Sequence, residues 1–217
     1  MTTNRQLVDF MRSIYARPNG TGAILNQIRA SEVRAAVELS ALTDVIADEQ
    51  LRLDVTRHAL DESRHAYILV RRMHDIGFAP SRLPVPVDRT EGLMKRCRGR
   101  DVKQVFDQRG MLDDVEVMEM LMAASIAERD ALPKLKANYE ALRNDPRTQA
   151  VIGSILHDEN RHVAYLTEWV ERFEKRVPAE VVQETRERLD SAFEDVNALF
   201  FGALDDYLKA AEAQVAA

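Results

Sequence analysis

The sequence predicts an all-α protein: a four-helix bundle with one long crossover, preceded by a short helix and followed by a long one. Three observations carry that expectation. Only 8 glycines and 7 prolines serve 217 residues, too few for the turns of an all-β fold. Apolar residues recur at helical spacing over long stretches. Breakers mark the long connection and one tight hairpin, and the unbroken stretch before them is long enough for a second hairpin.

The elements follow in chain order. Leu7, Phe10, Met11 and Ile14 share one face, so residues 4–16 form a short amphipathic helix. Arg17-Pro18-Asn19-Gly20 stops it. From Gly22 to residue 76 there is no further glycine or proline. Two long helices fit there, with a turn inside 43–49 and Asp48 as the cap of the second. Gly77 suits the position just past a helix, with Pro80 beyond it. Residues 78–100 show little periodicity and read as a long irregular connection. A helix is expected from about 111 to 142. Asn144-Asp145-Pro146 then breaks the chain, with Asp145 as N-cap and Pro146 at the first helical position. The next helix runs to about 175. Pro178 opens the last, where Val182, Leu189, Phe193, Val196, Phe200, Leu204 and Tyr207 form an apolar stripe. No composition shift marks a linker, so residues 1–217 read as one domain. Its bundle core spans about 22–175 and its C-terminal packing helix about 178–212.

The formal charge of −6 gives no electrostatic ground for general binding to nucleic acid or an anionic membrane. Lys95, Arg96, Arg98, Arg100 and Lys103 form the best basic patch and read as a solvated loop. One cysteine, Cys97, leaves no internal disulfide and no CxxC knuckle. No apolar run approaches a membrane span, and the N-terminus has no signal-peptide h-region. A soluble, cytoplasmic protein is expected.

The chemistry is carried by two near-identical pentads. Residues 61–65 read Asp-Glu-Ser-Arg-His and residues 158–162 read Asp-Glu-Asn-Arg-His. They contain two of the chain's 5 histidines, and both fall near the middle of a long helix. Glu and His at i and i+3 project from one face, one turn apart, and can bind one metal ion together. A single Glu-x-x-His is common on solvated helices, but the repeated fuller pattern is not. A two-metal site of this design needs a further Glu from each remaining helix.

Antiparallel geometry selects those two, because residues equidistant from a hairpin turn lie at one height. Glu159/His162 mirror onto Glu128 across Asn144-Asp145, and Glu62/His65 mirror onto Glu32 across residues 47–48. The two separations differ by a single residue. Glu38, Glu116 and Glu119 are rivals that lie a turn or more off that height. The expected metal ligands are therefore Glu32, Glu62, His65, Glu128, Glu159 and His162. His58, one turn before Glu62, can line a cavity there but reads first as a polar boundary residue, His74 and His157 as solvent-facing, and Tyr67 and Tyr165 as core or rim packing.

Carried on those residues, the chain resembles the ferritin-like di-iron carboxylate superfamily over roughly residues 20–175. The Asp-Glu-x-Arg-His form is similar to the iron sites of bacterial multicomponent monooxygenase hydroxylases and related oxygenases. The resemblance implies that Asp61 and Asp158 hydrogen-bond a ligand histidine on a neighbouring helix, fixing its tautomer and raising its basicity. Arg64 and Arg161 can then pair with the acidic cluster. Imidazole and carboxylate suit iron, as Fe/Fe or Mn/Fe.

The expected function is that of a non-haem di-iron oxidase or oxygenase that uses O2 on a small organic substrate. No flavin or iron–sulfur motif is present, so an external donor such as a reductase or ferredoxin is expected. The alternative is bacterioferritin-like or rubrerythrin-like iron oxidation or peroxide detoxification. A third reading is a metal-free interaction bundle. Small and apolar residues near the ligands, Ala35, Ala36, Leu39, Leu121, Ala124, Ser125 and Ile155, are expected to line a substrate cavity. A homodimer is also expected, with the last helix's stripe either packed on its own bundle or forming the interface.

Overall fold

A computed structural model describes residues 4–84, 87–97, 107 and 110–213. Among these residues there are seven helices and no strand. The helices are α1 Asn4–Tyr15, α2 Gly20–Thr43, α3 Glu49–Asp75, α4 Arg89–Cys97, α5 Asp114–Ala141, α6 Pro146–Glu174 and α7 Ala179–Ala213.

Local chemistry sets the boundaries. Gly20 follows α1 closely enough that a Cβ there would meet the Ile14 carbonyl oxygen at 1.9 Å, so the tight reversal requires glycine. Asp48 caps α3 by accepting from the Leu51 amide at 3.1 Å. The α2–α3 turn lacks Gly and Pro but needs neither, because Val45 and Ile46 are buried in the core beneath it. Arg52 closes it by donating to the Ile46 carbonyl at 2.7 and 3.1 Å. Gly77 lies just past α3 with φ of 73°, the left-handed region glycine enters without a Cβ clash. Asp113 and Glu116 form a reciprocal capping box, so α5 begins at Asp114, slightly after the expected start. Asp145 caps α6 through the Thr148 amide at 3.1 Å, with Pro146 in the first turn.

The long connection is where the fold departs from expectation. It contains a further helix, α4, rather than irregular chain throughout. Asp88 accepts from the Glu91 amide at 3.0 Å at its start, and Arg34 of α2 donates to both Asp88 (2.6 Å) and Glu91. The signal was present as Asp88-Arg89-Thr90-Glu91, an acidic cap with Glu three residues on, masked by the neighbouring prolines. The basic run expected as a solvated loop begins on α4 with Lys95 and Arg96, and the remainder lies outside the described residues.

Helices α2 and α3 pack as one hairpin, α5 and α6 as a second, and α3 lies against α6 between them. Little direct contact joins α2 to α5. Helices α4 and α7 cover that side instead, while α1 packs on α5. The stripe of α7 is buried against its own chain, with Leu189, Phe193, Val196, Phe200 and Leu204 in the core. It therefore supplies no argument for a dimer. No helix among the described residues is long and apolar enough to cross a membrane.

The core is divided. One apolar cluster takes Ile28 of α2, Leu69 of α3, Leu135 of α5 and Ile152 of α6. The other takes Leu39, Val55, Met122 and Leu166 of the same four helices. Every one of these helices passes from one cluster to the other through a polar stretch at mid-length, and those stretches meet. Asp145 helps hold the two hairpins together, since it caps α6 and also accepts from Arg72 of α3 at 3.1 Å. Asp145→Ala is expected to lower stability by about 1 kcal/mol or somewhat more, read as a lower midpoint in urea at unchanged slope.

Candidate metal centre

The polar stretches bring together Glu32 from α2, Glu62 and His65 from α3, Glu128 from α5, and Glu159 and His162 from α6. These six are the residues singled out in the sequence. Heptad-like geometry explains the pairs: Glu and His three apart share one face, and α3 and α6 turn those faces towards each other. All are buried except Glu128, which keeps partial access.

Two overlapping quartets form. In the first, Glu32, Glu62, His65 and Glu159 place one donor atom each within 4.8 Å of one another. The second, under the same limit, consists of Glu62, Glu128, His162 and His58. His65 Nδ1 lies 3.0 Å from Glu32 Oε2 and 3.4 Å from Glu159 Oε1. His162 Nδ1 lies 3.3 Å from both Glu62 Oε1 and Glu159 Oε2.

The other imidazole nitrogens face outward to aspartates on the opposite helix. His65 Nε2 of α3 is 3.2 Å from Asp158 of α6, and His162 Nε2 of α6 is 3.3 Å from Asp61 of α3. Each aspartate is held by an arginine of the other pentad: Arg64 donates to Asp158, and Arg161 donates to Asp61 at 2.5 Å. Arg161 also lies 3.0 Å from Asp158. Both histidines thus turn Nδ1 towards the carboxylates, an orientation set by a hydrogen-bonded carboxylate behind the ring.

The electrostatics are those of crowded acids in a largely buried layer. Burial pushes the Glu62 and Glu159 carboxyls well above the usual range, and the neighbouring glutamates push them further. Burial also raises Glu128, but Glu159, His58 and His162 outweigh it and bring it down to about 2. His162 falls to about 4, first through burial and then through the His58 ring beside it. Burial opposes charge on His65, yet Glu32 and Asp158 raise it overall. Asp158 is lowered because His65, Arg64 and Arg161 together overcome its burial.

The donor set fits a pair of divalent cations. Four carboxylates offer a charge of −4, which two such ions balance, and oxygen with imidazole suits iron or manganese. Glu62 Oε1 is fully buried and has no hydrogen-bond partner, the state of a donor atom turned towards a cation.

A cavity of about 620 Å³ opens beside this layer between α2 and α5. Glu32, Glu62, Glu128, Glu159 and His58 are among the residues lining it. The rest of its wall is largely apolar, and α4 and α7 cover it with Leu93, Leu189 and Phe193. Of the residues expected there, Ala35, Leu39 and Ala124 line it. Ala36, Leu121, Ser125 and Ile155 do not, and all four are buried elsewhere in the bundle. One residue along a helix is a rotation of about 100°, so Ala36 turns away where Ala35 faces in. Glu38, Glu116 and Glu119 line the cavity outside the ligand quartets.

His58 corrects the sequence reading. It is 1% exposed, not a boundary residue. Nε2 lies 3.1 Å from Glu62 and 3.2 Å from Glu128. Tyr165, read as packing, has its hydroxyl 2.6 Å from His58 Nδ1. The signal was the spacing His58-x-x-x-Glu62, four residues on one helix face. His74, His157 and Tyr67 are exposed, Tyr67 by 60%.

No family model, curated protein or solved structure matches this chain.

Crowding makes the metal-free fold sensitive to pH. Glu62, Glu159 and His65 all bind protons more tightly folded than unfolded. Above pH 6.5, the ordinary histidine value, they leave the folded chain carrying the excess of protons, so stability falls as pH rises. Glu128 and His162 act in lower windows, their values being about 2 and about 4. In chelator, the melting temperature is expected to drop by roughly a few degrees between pH 6.5 and 8. Glu159→Gln should flatten that drop, and added divalent cation should remove it.

Proposed function

We propose that this chain is a ferritin-like di-iron carboxylate protein that uses O2 to oxidise a small organic substrate. The observation that carries the reading is the pairing of two quartets around Glu62 with an organic-sized cavity bordered by Glu32, Glu62, Glu128 and Glu159. Glu32, Glu62, His65, Glu128, Glu159 and His162 hold the two irons. Such a pair, when bound, supplies the two electrons that reduce O2 at open positions.

The protein's own part is positional. Asp61 and Asp158 hold the two histidines with Nδ1 presented inward. Arg64 and Arg161 hold those aspartates in place. The apolar walls at Ala35, Leu39, Ala124 and Phe193 exclude water and orient a substrate against the carboxylate layer. A cavity of about 620 Å³ with such walls suits an organic molecule better than a hydrated iron ion in transit, which favours oxidation over iron storage. Reducing equivalents come from an external protein donor.

Anaerobic Fe(II) loading followed by desalting should leave about two irons per chain, and Glu159→Ala should lose them. Failure of the parent to retain iron or manganese would return the chain to the metal-free bundle. Ala124→Phe fills the cavity and leaves the ligands in place. It should keep the iron and reduce substrate-dependent O2 uptake by about tenfold or more. Unchanged uptake would place the substrate elsewhere, and a shell-sized assembly on a sizing column would favour storage.

A further inference from the structure

We infer that His58 is a seventh ligand, binding through Nε2 to the ion held by Glu128 and His162. The inference rests on the two-metal reading and makes the two positions chemically unequal.

His58 Nε2 is buried and has no hydrogen-bond partner. It lies 3.1 Å from Glu62 Oε1, which is buried and unpartnered in the same way. The approaches to Glu62 and Glu128 fall within hydrogen-bond distance but lack hydrogen-bond geometry. Orphaned donor atoms this close together in a buried layer are costly unless something sits between them. A cation facing both nitrogen and oxygen lone pairs satisfies them at once. The His58 and His162 rings are 3.8 Å apart between centroids, so two imidazoles crowd one position. Neutral rings serving one ion tolerate that proximity; two imidazolium rings would repel.

The opposite nitrogen completes the argument. Nδ1 of His58 faces the Tyr165 hydroxyl at 2.6 Å. A hydroxyl both donates and accepts. With Nδ1–H donating to Tyr165 Oη, the Nε2 lone pair points at the carboxylates, the tautomer a ligand requires. Burial, with Glu128 and Glu62 nearby, raises the Tyr165 phenol well above its ordinary value, so Tyr165 stays neutral as a positioning residue. The quartet with Glu62, Glu128 and His162 then offers two nitrogens. The quartet with Glu32, Glu62 and Glu159 offers one, from His65. The nitrogen-richer position should hold Co(II) more tightly.

The test uses the full chain and Co(II) alone. The Co(II)-loaded parent should show three paramagnetically shifted, solvent-exchangeable imidazole N–H resonances, one per ligand histidine. His58→Ala should hold the first ion as the parent does and bind the second at least ~10-fold more weakly, showing one such resonance with one ion bound and two at saturating Co(II). Added imidazole should restore the second ion, a rescue that lost packing does not give. Tyr165→Phe should keep all three resonances and weaken the same ion less. Two resonances in the parent, or parent-like binding of both ions by His58→Ala, would overturn the inference while leaving the two-metal reading standing. A parent that binds no Co(II), Fe(II) or Mn(II) overturns that reading and this inference with it.

Discussion

Mutual repulsion among four crowded glutamates, three of them buried, is the constraint the bundle is arranged around. Glu32, Glu62, Glu128 and Glu159 lie between two apolar clusters rather than at the rim of one. Burial limits how far water can dilute their charge there, and the arginines nearest the histidines, Arg64 and Arg161, pair with Asp158 and Asp61 instead. A metal-free chain answers by holding protons on Glu62 and Glu159. On the proposed two-metal reading, cations take over that role, which links metal binding to folding. The surrounding elements make that exchange possible. Capped hairpins fix the height of each carboxylate, and the outer aspartates and arginines keep the histidines aimed inward.

Much of this was legible because it is periodic. Asp145 before Pro146 placed one turn, and the mirror about it led to Glu128. The repeated Asp-Glu-x-Arg-His pentads marked α3 and α6, and the structure brings Asp61 to His162 and Asp158 to His65. The all-helical class followed from the scarcity of glycine and proline. What escaped depended on rotation and on partners distant in sequence. His58 and Tyr165 are 107 positions apart, and only the packing of α3 on α6 shows that they meet. Ala35 and Ala36 are indistinguishable by composition, yet only Ala35 lines the cavity. Helix α4 was hidden because its stabilising partner, Arg34, lies on α2.

The sparse contact between α2 and α5 gives the cavity its place. Four helices in close mutual contact would bury the carboxylate layer on every side. Here α3 and α6 supply the histidines and touch directly, while α2 and α5 stand apart and are bridged by α4 and α7. The histidines therefore rest on α3 and α6, while α2, α4, α5 and α7 supply most of the cavity wall. Side chains such as Leu93 and Phe193 can vary in size without moving His65 or His162.

The crossed exchange between the pentads has a mechanical meaning as well. Asp61 reaches from α3 to His162, Asp158 reaches from α6 to His65, and each arginine follows its own pentad across. A slide of one helix along the other by a single turn, about 5.4 Å, would break all four links together. The pair behaves as a key with two pins, which admits one axial register and resists shear. Helix α3 and helix α6 are thus held to one axial register by side chains rather than by apolar packing alone.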